Sequence, residues 1–97
     1  MKYAIIQGYD PAGQKRYAAA FFEDVMEDSK IAEHYTTIKM EIVYLGNIRG
    51  SVTHKKAHNS PNPLVKIIVD EVYRANTSKV FDVDSLEKRL AALSRKK

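Results

Sequence analysis

The chain of 97 residues is long enough for one globular domain and too short for two, and its 44% hydrophobic and 29% charged residues exclude a disordered protein. The absence of cysteine excludes a disulfide framework and a thiolate metal site. The formal net charge is +4, and residues 95–97 form a basic tail after a single expected domain at residues 1–94.

The first predicted element is a buried strand at residues 2–9, where Tyr3 to Ile6 form a continuous apolar run. An apolar run of this length is too short for a signal-peptide core or a membrane span. We therefore expect a cytoplasmic protein that has no membrane partner.

A helix is predicted to begin at Asp10-Pro11, because aspartate caps free amides and proline suits the first helical position. The spacing of Tyr17, Phe21 and Val25 gives this helix one apolar face. Like-charged carboxylates at its far end predict a break near Asp28-Ser29 and a resumption to about residue 35.

A second strand is predicted at residues 36–45, where apolar side chains alternate with Thr37, Lys39 and Glu41. Gly46-Asn47 is a pair that suits a tight hairpin turn, so residues 48–54 are predicted to return as a third strand. Prolines and asparagines make residues 55–63 a loop.

The last third of the chain predicts two helices joined by a short strand. Asn62-Pro63 begins the first of these helices, which has a broad apolar face and ends near Ala75-Asn76. Residues 79–83 predict a strand, and Asp84 with Glu87 forms a capping box for a final helix. The predicted order is βαββαβ followed by a helix, an α+β fold of the ferredoxin-like class in which two helices cover one face of a four-stranded sheet.

The charges are segregated along the chain. No carboxylate lies between Glu41 and Asp70, a stretch that contains several cations, whereas residues 23–33 carry five carboxylates and one lysine. Such asymmetry indicates an oriented partner, and an anionic partner on the basic side.

The basic stretch predicts a site for phosphate contacts, since cations and polar donors on a glycine-bearing loop suit a polyanion. The predicted contact residues are Arg49, His54, Lys55, Lys56, His58, Arg95, Lys96 and Lys97. The sequence therefore favours a small, non-enzymatic module that binds DNA, RNA or another polyanion. An ordinary solvated loop is the other interpretation of the same residues.

Two alternative functions stay open. The separated acidic and basic segments also suit a protein-interaction module, either a homo-oligomer such as a homodimer or an inhibitor of a partner protein. No motif for a cofactor, a catalytic residue or a metal site is present; His54 and His58 are four apart, but they lie in a proline-bounded loop with no third ligand at an ordered spacing.

The other alternative comes from a resemblance. Gly8-Tyr9-Asp10 followed by Lys15-Arg16-Tyr17 resembles the start of the Cas2 and VapD families, and Pro11 departs from that pattern. The resemblance implies a ferredoxin-like dimer, in some members a metal-dependent nuclease, in which the strand-end aspartate, here Asp10, holds the ion. The corresponding hypothesis for this chain is a metal-dependent nuclease that uses Asp10 with His54 or His58.

Overall fold

Three strands and three helices make up the part of the chain that the computed structural model describes, residues 1–49 and 62–95, with side chains as far as residue 93. In chain order they are β1 (Lys2–Tyr9), β2 (Lys15–Phe22), α1 (Asp28–Thr37), β3 (Glu41–Asn47), α2 (Pro63–Ser78) and α3 (Val83–Arg95). The predicted α+β class is confirmed. The ferredoxin-like arrangement is not confirmed, because the described elements follow the order ββαβαα.

The sheet has the order β2-β1-β3, and β1 pairs antiparallel with both neighbours. The pairing of β1 with β2 is continuous from Lys2 opposite Phe22 to Tyr9 opposite Lys15. The predicted strand at residues 2–9 is confirmed, and its apolar run is buried because β1 is central and has helices over both faces.

The helix predicted to begin at Asp10-Pro11 is wrong, because this segment is a turn followed by β2. Asp10 closes the turn: its Oδ1 accepts the Gln14 N–H at 2.8 Å, and its backbone N–H donates to the Gln14 carbonyl at 2.9 Å. Gly13 has a φ of +81°, a conformation that favours glycine. The aspartate therefore caps a hairpin turn with the same side-chain oxygen that it would offer to a helix.

The boundaries of the next two elements also differ from the prediction. The strand predicted at residues 36–45 begins only at Glu41, since α1 continues to Thr37 and buries Ile31 and Tyr35 against the sheet. The hairpin turn predicted at Gly46-Asn47 is wrong, because both residues belong to β3. Residues 48–49 are not strand, and the rest of the predicted return strand, together with most of the predicted loop at residues 55–63, lies outside the described residues.

The start of α2 confirms the cap predicted at Asn62-Pro63, since Asn62 Oδ1 accepts the Leu64 N–H at 2.9 Å. The helix continues past Ala75-Asn76 to Ser78, where Lys79 closes it in the left-handed conformation. The strand predicted at residues 79–83 is wrong: residues 79–82 form an irregular connection, Val83 begins α3, and Phe81 packs its ring against two tyrosines of the core. The cap of α3 is Asp82 rather than Asp84, because Asp82 Oδ1 accepts the Ser85 N–H at 3.2 Å.

The core has two parts, one on each face of the sheet. On the first face α2 and α3 pack on the odd-numbered side chains of β1 and β2, and this cluster contains Tyr3, Ile5, Tyr17, Phe21, Ile68, Val72 and Leu86. On the second face α1 packs on the even-numbered side chains, with Ala4, Ile6, Ile31 and Tyr35 buried. The sheet therefore lies between α1 and the pair formed by α2 and α3.

None of the helices in the described part of the chain is long and apolar enough to cross a lipid bilayer. The cytoplasmic location stays a prediction.

Candidate functional site

A groove lies where β1 ends, between the β1–β2 turn and the C-terminal end of α1. It consists of two adjoining cavities of about 420 and 450 Å³. Both cavities are lined by Gly8, Tyr9, Lys39 and Met40. Volumes of this size are within the range, roughly 300–1,000 Å³, that is usual for ligand sites.

The end of α1 shapes one side of the groove. Its last turn closes as a Schellman motif, in which the Lys39 N–H donates to the Thr36 carbonyl at 3.1 Å and the Met40 N–H donates to the Tyr35 carbonyl at 2.8 Å. Lys39 takes the left-handed position of this motif with a φ of 60°, although glycine is the usual residue there. The motif turns the chain so that Met40 packs over Gly8, whose missing Cβ would lie 3.1 Å from the Met40 methyl.

Tyr9 lies at the end of β1 beside the groove, and the alternation of β1 directs its side chain to the face of the sheet opposite Met40. Its side chain is 69% exposed, and Ile38, which lines the groove, is 49% exposed. Lys15 is the direct partner of Tyr9 in β2, so the two side chains project from the same face of the sheet. Tyr9 and Lys15 therefore place an exposed ring and a cation beside the groove, on the other face of the sheet.

Two further cations, Arg16 and Lys39, line the groove directly. Arg16 Nε donates to Asp10 Oδ2 at 3.3 Å, and this contact orients the guanidinium. The pKa of Asp10 is held below its usual value by the Gln14 N–H, with a smaller effect from Arg16. Asp10 carries one negative charge, so it offsets only part of the positive charge of Lys15, Arg16 and Lys39.

A carboxylate also lines the other half of the groove. Glu41 is exposed and lies with Gln7 and Thr36 on the wall formed by β3 and α1. Lys39 lines both halves of the groove. Glu41 offsets its charge in one half, and Arg16 with Asp10 leaves an excess of one positive charge in the half next to the β1–β2 turn.

The predicted contact residue Arg49 lies at the far end of the sheet from this groove. It follows Asn47, which pairs with Lys2, so it is separated from Tyr9 by about the length of β1, roughly 25 Å for eight residues. Arg49 is exposed, and its carbonyl accepts a hydrogen bond from Asn62 Nδ2 at 3.0 Å. The structure does not bring Arg49 together with the groove.

The other predicted contact residues are beyond what the structure describes. Residues His54, Lys55, Lys56, His58, Lys96 and Lys97 lie outside the described residues, and Arg95 ends α3 with a side chain that is not described. Their role in phosphate contacts stays a prediction.

The acidic segment lies at the same end of the sheet as Arg49. Lys2 Nζ contacts Asp28 Oδ1 at 3.1 Å and the Met26 carbonyl at 2.8 Å, which fixes the connection between β2 and α1 beside the start of β1. Carboxylates are thus gathered at the Lys2 end of β1, and the cations around Tyr9 are gathered at its other end.

Sequence reasoning missed the groove because its residues come from three separated segments. Lys39 is 30 positions from Tyr9 in the sequence. The sequence pattern also predicts a helix for the segment that contains Lys15 and Arg16. The signal that could have found them is the pair Lys15-Arg16 directly after a glycine-bearing turn that follows an exposed tyrosine.

The metal site implied by the resemblance has no support from neighbouring side chains. Within residues 1–49 and 62–93, no three His, Cys, Asp or Glu side chains lie close enough together to hold an ion. The Asp10 carboxylate instead accepts the Gln14 N–H in the β1–β2 turn. His54 and His58 lie outside the described residues.

Comparisons with protein-family models, with curated proteins and with solved structures find no match to this chain.

Proposed function

We propose that the protein is a small, non-enzymatic module that binds nucleic acid, and that the groove beside Tyr9 is part of its binding surface. The observation that carries the proposal is the exposed side chain of Tyr9 at the end of β1, with Lys15 beside it on the same face of the sheet and with Arg16 and Lys39 lining the adjoining groove. Surfaces that bind nucleic acid combine cations for the phosphates with aromatic rings for the bases. The separation of this basic end from the acidic Lys2 end would orient the bound polyanion.

The test is binding of labelled, mixed-sequence DNA and RNA, measured by fluorescence anisotropy at about 50 and 200 mM salt. Each phosphate contact adds about one unit to the slope of log affinity against log salt, so three contacts predict a fall of roughly 50-fold over this interval. Absent binding, or binding that does not respond to salt, would overturn the proposal.

A charge-matched pair of variants assigns the binding to the groove. Lys15→Gln with Lys39→Asn removes the cation beside Tyr9 and one cation that lines the groove, and asparagine tolerates the left-handed backbone at position 39. Lys30→Gln with Lys79→Asn removes the same charge away from the groove, again with one left-handed position. We expect the salt slope to fall by about two units in the first variant and to stay near its original value in the second.

A protein-interaction module is the second candidate, and exposed apolar side chains in the acidic segment favour it. Val25 is 85% exposed and Met26 lies beside it, next to the cavity that Leu45 lines with Lys2 and Asp28. Exposed apolar side chains that lie together mark protein contact surfaces. Sedimentation of the native chain and of Val25→Ser tests this function: an assembly that the substitution dissociates supports it, and a monomer in both samples contradicts the homo-oligomer.

A further inference from the structure

We propose that the outer edge of β3 pairs with the same edge of a second copy of the chain, so that two sheets join into one antiparallel sheet across a two-fold axis. This surface is separate from the groove, and the proposal does not depend on nucleic-acid binding. It follows from the direction of the backbone groups of β3, from the limits of its free edge and from the charges along the strand.

The backbone groups of Leu45 and Asn47 point away from β1. Met1 and Ile48 exchange two hydrogen bonds: the Met1 amine donates to the Ile48 carbonyl at 2.7 Å, and the Ile48 N–H donates to the Met1 carbonyl at 2.9 Å. Bonded and non-bonded pairs alternate along an antiparallel ladder, so Gly46 is the next residue of β3 that bonds to β1. The N–H and carbonyl groups of Leu45 and Asn47, on either side of Gly46, are therefore directed outward.

These four outward groups have no partner in the described part of the chain. Among the described residues, no group is hydrogen-bonded to the backbone N–H or carbonyl of Leu45 or Asn47 on this edge. The opposite edge of the sheet is partly covered, since Asn76 of α2 bonds to both outward groups of Tyr17 in β2. An edge strand with unpaired N–H and carbonyl groups is a template for another strand.

The segment of β3 that is open for pairing has a limit on each side. The register shift between Ile5 and Ile6 of β1 leaves an extra residue in β3, which interrupts a regular ladder on that side. On the other side, the carbonyl of Arg49 already accepts a hydrogen bond from Asn62 at the start of α2. The free edge is therefore short and centred on residues 44–48.

This short edge is complementary to itself. An antiparallel copy of β3 centred on Gly46 places Leu45 of one copy opposite Asn47 of the other, in two equivalent pairs. Each pair exchanges two hydrogen bonds, so all four outward groups of each copy obtain partners. The Leu45 side chain, which is 38% exposed, also loses contact with water beside the second strand.

The charges along β3 permit two copies to approach. Residues 42–48 carry no charge, so identical edges meet without repulsion between like charges. Glu41 lies at one end of this stretch, and the exposed Arg49 lies at the other. Antiparallel pairing therefore brings opposite charges, rather than like charges, to each end of the joined strands. β3 also contains no lysine and no proline, residues that protect many edge strands from pairing.

The first measurement is the mass of the native chain in solution, by sedimentation over about 1 to 300 µM, where we expect a monomer–dimer equilibrium. Leu45→Lys should raise the dissociation constant by about tenfold or more, because it places a cation on the paired edge of both copies. Tyr73→Lys is the matched control and should leave the equilibrium unchanged. Tyr73 is 72% exposed on α2, the helix that bonds to the opposite edge of the sheet. Circular dichroism confirms that each variant is folded.

The second measurement needs no variant. Amide hydrogen exchange of the native chain is followed by NMR at the lowest and the highest concentration. The Leu45 and Asn47 amides should exchange about tenfold more slowly, or less, in the dimer, because they gain partners only there. The Tyr44 and Gly46 amides bond to β1 and should be protected at both concentrations. This alternation identifies strand pairing, since contact between side chains alone would not produce it.

A monomer at every concentration would overturn the proposal, whether the Leu45 and Asn47 amides exchange freely or are protected within one molecule. A dimer that Val25→Ser dissociates and that Leu45→Lys leaves intact would place the interface on the acidic segment and would also overturn it. Nucleic-acid binding is measured separately, so these outcomes leave the proposed function undecided by design and distinguishable from it.

Discussion

The side-chain amide of Asn76 pairs with the backbone of Tyr17 in the way that a neighbouring strand would. Asn76 Oδ1 accepts the Tyr17 N–H at 2.6 Å, and Asn76 Nδ2 donates to the Tyr17 carbonyl at 3.0 Å. Tyr17 lies in β2, an outer strand of the described sheet, so both backbone groups face away from β1. Through the Asn76 side chain, α2 provides hydrogen-bond partners for the backbone N–H and carbonyl of Tyr17 and covers part of the β2 edge of the sheet.

Replacing Asn76 with alanine should destabilise the protein by about 2 kcal/mol, because it leaves a partly buried N–H and carbonyl without their partner. Asn76→Asp should also destabilise, since a carboxylate keeps the acceptor but faces the Tyr17 carbonyl without a proton to donate. Urea denaturation measures both variants. Thr77→Ala is the neighbouring control: its hydroxyl bonds only within α2 on the exposed side, so a loss equal to that of Asn76→Ala would contradict this account.

The elements that the sequence predicted correctly carry local signals that fit only one type of secondary structure. β1 has a continuous apolar run, and α2 has a cap, a proline and a broad apolar face. β2 was mistaken for a helix because the four-residue spacing of Tyr17 and Phe21 fits both periodicities: it is one turn of a helix and two steps of a strand. The turn that Asp10 closes and the pairing of β2 with β1 favour the strand over the helix. Neither feature can be recognised from the few residues around Tyr17 and Phe21.

The candidate site could not be predicted because it is a product of topology. Tyr9, Arg16 and Lys39 are brought together by the β1–β2 turn and by the closing motif of α1, which orient segments that local patterns describe separately. The sequence predicts a basic site between residues 42 and 69 because no carboxylate lies there. Of that interval, the structure describes residues 42–49 and 62–69.

Alkaline pH should destabilise the protein through Tyr3. Its ring is fully buried, and burial, together with the nearby Tyr44 and Glu87, raises its pKa far above the usual value near 10. The folded state therefore keeps a proton that the unfolded chain releases, so stability is present below pH 10 and is lost as pH rises above it. The expected slope is about 1.4 kcal/mol per pH unit for this group.

Denaturation at pH 8, 10 and 11 measures the effect of Tyr3, with the phenolate absorbance recorded on the folded protein. Tyr3→Phe should flatten the pH dependence, and Tyr73→Phe should leave it unchanged because that side chain is exposed. An alkaline slope that is the same in the native chain and in Tyr3→Phe would contradict the assignment.

The buried carboxylate of Glu71 depends on Arg89. Glu71 is 3% exposed, and its Oε1 accepts from Arg89 Nη1 at 2.8 Å and from Ser85 Oγ at 3.1 Å. Arg89→Leu should destabilise the protein by about 3 kcal/mol, since it leaves a buried charge without its main partner. Arg74→Leu should cost about 1 kcal/mol or less, because Arg74 is exposed and lies 3.7 Å from the carboxylate.

A double variant separates the cost of the unpaired charge from the cost of lost packing around Glu71. Glu71→Leu combined with Arg89→Leu should recover a large part of the stability that Arg89→Leu loses, because no charge is then left buried. Urea denaturation at pH 7 measures the four proteins of this cycle. Additive losses in the double variant would show that Glu71 and Arg89 do not act as a pair.

Lys39 should show a conflict between stability and binding. A non-glycine residue in the left-handed conformation costs roughly 1 kcal/mol, so Lys39→Gly should be neutral or up to about 1 kcal/mol more stable than the native chain. The same substitution removes a cation from the groove and should weaken nucleic-acid binding several-fold. Lys79→Gly is the matched control, because Lys79 has a φ of 64° and lies outside the lining of the groove. Thermal unfolding measures the stability of both variants, and fluorescence anisotropy measures their affinity for nucleic acid. Equal losses of affinity in the two variants would show that Lys39 contributes only to the overall charge and makes no specific contact in the groove.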